Sequence, residues 1–206
     1  MWFSRRVVLA LPLAILAGRR AALAADSGAA PAALIEGFYA ALLALMKQAK
    51  KLSFDERYNR LAPTIERVFD LGLMTRIAIG PGWAQLAADQ QHRLSAAFAR
   101  YTISNYASRF DDYGGERFEV SPTATPNANG VIVDSRLIKS NGERVNLNYL
   151  LRQDAAGSWK IIDVYLSGTV SELATKRSEF SAVLQRDGAD ALVRTIEQRT
   201  AALRAG

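Results

Sequence analysis

The residues best placed to do chemistry lie in one stretch, Trp159-Lys160-Ile161-Ile162-Asp163-Val164-Tyr165. Strand periodicity puts Trp159, Ile161, Asp163 and Tyr165 on one side, and Lys160, Ile162, Val164 and Leu166 on the other. A carboxylate on an otherwise apolar face needs a partner. Paired with a tyrosine such as Tyr101 or Tyr149, Asp163 could act as a general base while the phenol polarises a carbonyl, the chemistry of an isomerase or hydratase. Held by a backbone N–H or an arginine, it would instead be structural, with the helix start near Thr169 to Ser171 as the expected anchor. Other catalytic chemistries are poorly supplied. There is no cysteine and a single histidine, His92, in the polar run Asp89-Gln90-Gln91-His92-Arg93. That composition excludes the commonest zinc sites, and the context argues against a Ser-His-Asp triad. No cofactor is implied.

After Leu166, Ser167-Gly168 breaks the strand and Thr169-Val170-Ser171-Glu172 reads as a capping box with Thr169 at the N-cap. The strand therefore turns directly into a helix that folds back over its sheet. Before it, the 2-residue period marks strands at Phe118 to Val120, Val131 to Ile138 and Arg144 to Arg152, the last two joined through Asn141-Gly142. Ser121 to Gly130 reads as a connection. Two helices, Glu172 to Arg186 and Ala189 to Leu203, divided at Asp187-Gly188, close the chain. On the N-terminal side helical patterns run from Ala32 to Lys50, from the capping box at Ser53-Phe54-Asp55-Glu56 with either a break or the start of a second helix at Pro63, through a short segment at Asp70 to Ile77, and from Asp89 to Phe110. Gly80-Pro81-Gly82-Trp83 is a turn presenting a tryptophan. The architecture is α+β: N-terminal helices, a four-stranded antiparallel curved sheet and two C-terminal helices, giving a cone with an apolar interior.

The first 24 residues read as a cleavable export signal: Arg5 and Arg6, a short apolar run from Val7 to Ala17, and Ala22-Leu23-Ala24 as the cleavage site. Ser4-Arg5-Arg6-Val7-Val8-Leu9 resembles a twin-arginine signal, with an ordinary signal peptide that happens to carry Arg-Arg as the competing reading. Residues 25–206 then form one domain, with Asp26 to Pro31 as a small-residue spacer. The formal net charge of +6 falls to +2 when arginines 5, 6, 19 and 20 leave with the signal. No basic run of the kind that tracks phosphates remains, which argues against nucleic-acid binding.

The chain after the signal resembles the MlaC family of periplasmic phospholipid carriers, also described as toluene-tolerance or organic-solvent-tolerance proteins. The resemblance rests on Phe98-Ala99-Arg100-Tyr101 with Tyr106, the Asn141-Gly142 hairpin, Trp159 to Val164, Gly168-Thr169-Val170-Ser171, Arg177-Ser178-Glu179-Phe180 and Gly188-Ala189-Asp190-Ala191-Leu192. The run Ser171 to Phe180 looks closer to the hopanoid-associated HpnM branch. The resemblance implies a fold similar to NTF2-like cones, with acyl chains between sheet and helices. It implies a shuttle exchanging lipid with an MCE/ABC transporter complex at the inner membrane and a lipoprotein–porin complex at the outer membrane. It weighs against the enzymatic use of Asp163.

A carrier must hide its cargo, because a sixteen-carbon chain exposed to water costs about 12 kcal/mol at roughly 0.8 kcal/mol per CH₂. That demands apolar walls around a cavity toward the upper end of roughly 300–1,000 Å³. Candidate walls are Val133, Leu147, Tyr149, Leu151, Ile161 and Tyr165 from the sheet, and Phe69, Met74, Ile77, Phe98 and Tyr101 from the helices. The same side chains could equally fill a dry core. For a phosphate headgroup at the mouth, Arg144 is the candidate, since a guanidinium fork can bind two oxygens. A solvated edge-strand charge is the competing reading of Arg144.

Overall fold

A computed structural model of the chain describes residues 17–205, with side chains from Ala30 onward. Arg5, Arg6 and the apolar run up to residue 16, expected to form the export signal, lie outside the described residues. Helix α1 (Ala17–Met46) begins before the position 32 that periodicity predicts, and runs through the expected spacer. The segment is alanine-rich, and alanine is the best helix former. Its buried face is Ile35, Phe38, Tyr39, Leu42, Leu45 and Met46, at helical spacing; of the apolar positions expected there from sequence Leu34 is only half-buried, and Tyr39 joins the rest.

Helix α2 (Phe54–Val68) starts at the expected capping box: Ser53 Oγ accepts from the Glu56 N–H at 3.2 Å and the Ser53 N–H donates to Glu56 Oε2 at 2.7 Å. It does not break at Pro63. Pro63 and Asn59, whose carbonyl loses its partner, are both on the exposed side, so water can satisfy that oxygen while Leu61, Ile65 and Val68 hold the inner face. Helix α3 (Leu71–Ile79) is capped by Asp70, whose Oδ1 accepts from the Leu73 N–H at 2.8 Å. A 3-10 turn at Gly80–Gln85 carries the half-buried Trp83 onto the core. Helix α4 (Ala88–Arg109) follows, with His92 exposed on its first turns.

Seven antiparallel strands are present among the described residues, rather than four: β1 (Arg117–Val120), β2 (Thr125–Asn127), β3 (Gly130–Val133), β4 (Ser135–Ile138), β5 (Arg144–Gln153), β6 (Trp159–Leu166) and β7 (Val170–Ser171). The extra strands have local causes. The expected strand Val131 to Ile138 is bent at Asp134 into β3 and β4, which both pair with β5. At the bend, the Ser135 N–H donates to the Asn148 side-chain Oδ1 at 3.3 Å, and the Ser135 hydroxyl donates to the Leu147 carbonyl. The expected connection 121–130 contains β2, which hairpins onto β3. Thr169 is not the N-cap of the last helix. Val170 and Ser171 pair with β6 as β7, and Ser171 Oγ accepts from the Ala174 N–H at 2.9 Å. Sheet pairing outcompetes the earlier cap and moves it two residues on.

The bulge between β5 and β6 has the largest consequence. Leu150 faces Asp163 and Leu151 faces Ile161, leaving Ile162 without a partner. One inserted residue exchanges the two faces of a strand beyond it. Ile161 and Leu151 lie on the inner face, as do the opposed pairs Tyr149–Val164 and Leu147–Leu166. Asp163 and Tyr165 therefore point to the other side, and the simple alternation grouping them with Ile161 is corrected by the bulge.

Helix α5 (Glu172–Ala205) has the expected division: Gly188 sits at φ 82°, ψ 176°, between two helical stretches. A positive φ there suits glycine and costs other residues. The first stretch crosses α3 and α4 and covers the end of β6, and the second packs on α4. The core lies between these helices and the inner face of the sheet.

Candidate functional site

Between α4, the start of α5 and the ends of β5 and β6 lies a cavity of about 110 Å³. The sheet supplies Leu147, Tyr149, Val164 and Leu166. Phe69 and Met74 enter from the junction of α2 and α3, held against the sheet because the Asp70 N–H donates to the Ile161 carbonyl at 2.9 Å. From α4 come Phe98, Tyr101, Thr102, Asn105, Tyr106 and Arg109, followed by Phe110. Glu172, Leu173 and Lys176 close it from α5.

Of the wall residues expected from sequence, the fold brings together Phe69, Met74, Phe98, Tyr101, Leu147 and Tyr149. Val133, Leu151 and Ile161 are fully enclosed in the packed core beside the cavity, and Ile77 is half-buried against that core. Tyr165 lies across the sheet. Arg144, at the first position of β5 opposite Ile138, is exposed and away from the cavity. The cavity is smaller than an enclosed lipid chain requires, because its apolar walls close on one another, as close-packed interiors do.

The mouth is basic. Arg109 Nε donates to Asn105 Oδ1 at 3.1 Å, and Lys176 Nζ sits 5.7 Å from the centre of the Tyr101 ring. Neither cation forms an ion pair among the described residues. Glu172 stands beside them. Sequence reasoning passed over both cations. Arg109 falls four residues after Asn105, a spacing that puts both on one face of α4, and that spacing was the available signal.

The floor is aromatic. Phe38 packs edge-on against Phe69, Tyr106 and Tyr149 at centroid distances of 5.4, 5.4 and 6.3 Å. Tyr39 stacks on Phe118 at 4.1 Å, and its hydroxyl lies 2.6 Å from Ser135 Oγ. Burial pushes the Tyr39 phenol up to about 12 and raises Tyr106 and Tyr149 well above the ordinary range, so all three remain protonated.

Asp163 stands outside the cavity. Its carboxylate accepts from the Ser171 hydroxyl at 2.5 Å, the Val164 N–H at 2.7 Å and the Leu173 N–H at 3.2 Å. Burial raises its pKa, and those three hydrogen bonds partly offset the rise. These bonds tie β6 to β7 and to the start of α5. No tyrosine shares them, and Asp163 does not line the cavity. No group of three or more potential metal ligands occurs among the described residues.

No curated protein sequence matches the chain. A solved structure of a phospholipid-binding protein from Ralstonia solanacearum, in complex with a phospholipid, is similar to it: the TM-score is 0.72 at 25% identity, over 84% of this chain and 97% of that one. The profile of the MlaC protein family matches residues 37–198. The chain belongs to the MlaC family.

Proposed function

We propose that this protein is a periplasmic lipid carrier that binds a phospholipid with its acyl portion between α4, α5 and the sheet. The observation that carries the reading is the combination of an apolar cavity with two unpaired cations, Arg109 and Lys176, at its mouth. An acyl chain gains from every methylene removed from water, while a phosphate gains from charge-assisted hydrogen bonds at the rim. Arg109 and Lys176, which line the cavity, suit the headgroup better than Arg144, which is exposed at the first position of β5 and does not line it. To admit a chain, the cavity has to widen from its 110 Å³. The start of α5 is the wall able to give way, since it is attached through the turn at Ser167-Gly168 and the kink at Gly188.

In this reading residues 1–24 direct export and residues 25–206 form the carrier domain. The carrier shuttles between an inner-membrane MCE/ABC transporter complex and an outer-membrane lipoprotein–porin complex, maintaining outer-membrane lipid asymmetry. Family membership and the phospholipid-binding neighbour favour binding or transport over catalysis. The hydrogen-bonded role of Asp163 argues in the same direction.

The test is to purify the exported protein from a bacterial host and measure bound lipid by native mass spectrometry. One phospholipid per protein is expected, with loss of that lipid in Leu147→Arg at an unchanged circular-dichroism spectrum. A protein that emerges empty and takes nothing from phosphatidylglycerol vesicles would overturn the reading.

A further inference from the structure

Along α4 the cavity is lined by Tyr101, Asn105 and Arg109, each one helical turn from the next and on the same face. Arg109 stands at one end of this row. At the other, Lys176 Nζ lies over the Tyr101 ring, 5.7 Å from its centre. Asn105 sits between the two cations. The orientation of its amide is fixed by what it touches. Arg109 Nε can only donate, so the atom facing it at 3.1 Å is the amide oxygen. The amide nitrogen, on the other arm of the same planar group, keeps two N–H donors and has no hydrogen-bond acceptor among the described residues. Asn105 is half-buried, and it shares the cavity with the apolar side chains of Leu147, Val164 and Leu166. Thr102, the neighbouring polar group on α4, has no donor to offer, since its hydroxyl donates to the Phe98 carbonyl at 2.9 Å.

We infer that Asn105 donates to the ester carbonyl of an acyl lipid, so that the cavity prefers ester-linked to ether-linked lipids. The inference rests on the carrier reading and narrows the class of lipid carried. In a glycerophospholipid the acyl carbonyls follow the phosphate at about the length of one helical turn, roughly 5 Å. A phosphate at either cation therefore brings a carbonyl to the level of Asn105. A carbonyl oxygen is a good acceptor for an amide N–H, and an ether oxygen is a poor one. A dialkyl lipid would cover the amide nitrogen and displace its water without replacing the hydrogen bond, which is the costly case for a polar group. The hydrogen bond from Arg109 holds the amide so that its nitrogen, and not its oxygen, is left for the lipid.

The experiment offers the exported protein mixed vesicles holding equal amounts of dipalmitoyl (ester) and dihexadecyl (ether) phosphatidylglycerol, which share headgroup and chain length. Native mass spectrometry compares the two bound species. A preference for the ester of about fivefold is expected, the size of one hydrogen bond. Asn105→Asp keeps an oxygen for Arg109 Nε and turns the donating arm into a second acceptor. The ester preference is expected to vanish in it, with uptake of both lipids lowered by the added negative charge. Asn105→Leu removes the donor without adding charge, and the ratio of ester to ether is expected to fall to about one there as well. Equal binding of the two lipids by the wild-type protein overturns the inference and leaves the carrier reading in place. So does a preference that survives Asn105→Leu and disappears in Tyr106→Phe, which would move the donor to the aromatic floor. If neither lipid is taken up, the inference and the carrier reading fall together.

Discussion

The inner face of the sheet has two ends that are made of similar residues and behave differently. At one end Val133, Leu151 and Ile161 meet α1 and the α2–α3 junction and are completely enclosed. At the other, Leu147, Val164 and Leu166 meet α4 and the start of α5 and remain only half-buried around a cavity. The bulge at Ile162 lies between them. The difference lies in the covering helices. The packed end is covered by α1, whose continuous apolar face matches the sheet. The open end is covered by a segment that leaves the sheet as β7, turns within one residue into α5 and is divided again at Gly188. Apolar residues alone therefore do not leave a cavity; an incompletely fitted cover over them does.

The sharpest way to break this comparison is to truncate matched residues on its two sides. Ile161→Ala is expected to cost about 2–5 kcal/mol, since a fully packed site cannot collapse to fill the loss. Val164→Ala, beside an existing void, is expected to cost about 1 kcal/mol or less, but to weaken lipid uptake. Urea unfolding of the two variants measures both, and equal costs would remove the distinction between the ends.

The join between sheet and cover is tested at Asp163. Asp163→Ala leaves the Ser171 hydroxyl and the Leu173 N–H without their acceptor, and a loss of about 2–3 kcal/mol is expected in the same assay. The pH dependence has a definite sign. Burial raises the Asp163 pKa, so the folded state holds this proton more tightly than the unfolded chain. Its stabilising contribution is complete below the ordinary value of 3.8 and is lost as pH rises through the raised value. Relative to Asp163→Asn, the wild-type protein should therefore lose stability across that interval. A difference that stays constant with pH would show that the carboxylate is not desolvated as its burial implies.

The smallest structural effect is expected at the mouth. Lys176→Glu is expected to change stability by no more than about 0.5 kcal/mol, because the residue is half-exposed and unpaired. Its uptake of phosphatidylglycerol should fall about fivefold at low salt, and the gap should narrow as salt screens the charge. Uptake insensitive to both the substitution and salt would remove Lys176 from headgroup binding.

Much of the fold was legible in the chain. The capping box at Ser53, the apolar stripe of α1, the long α4, the Asn141-Gly142 turn and the break at Gly188 all stand where sequence periodicity and turn chemistry place them. These are local properties, decided by propensity and by hydrogen bonds within a few residues. Pro63 misled because its carbonyl partner happens to face water, which only the orientation of α2 determines. Thr169 misled because a competing strand pairing is not visible in a cap motif.

The site was legible only in part, for the same reason. Phe69, Met74, Phe98, Tyr101, Leu147 and Tyr149 could be chosen as inward apolar residues without knowing that a cavity lies before them. The sequence by itself determined residue types, periods and turns, and hence an α+β chain with one apolar sheet face and a covering helix. The bulge at Ile162, which turns Asp163 away and Val164 inward, depends on pairing with a partner strand. The separation of packed from open end depends on helices distant in the chain. These are long-range contacts, and no local pattern encodes them.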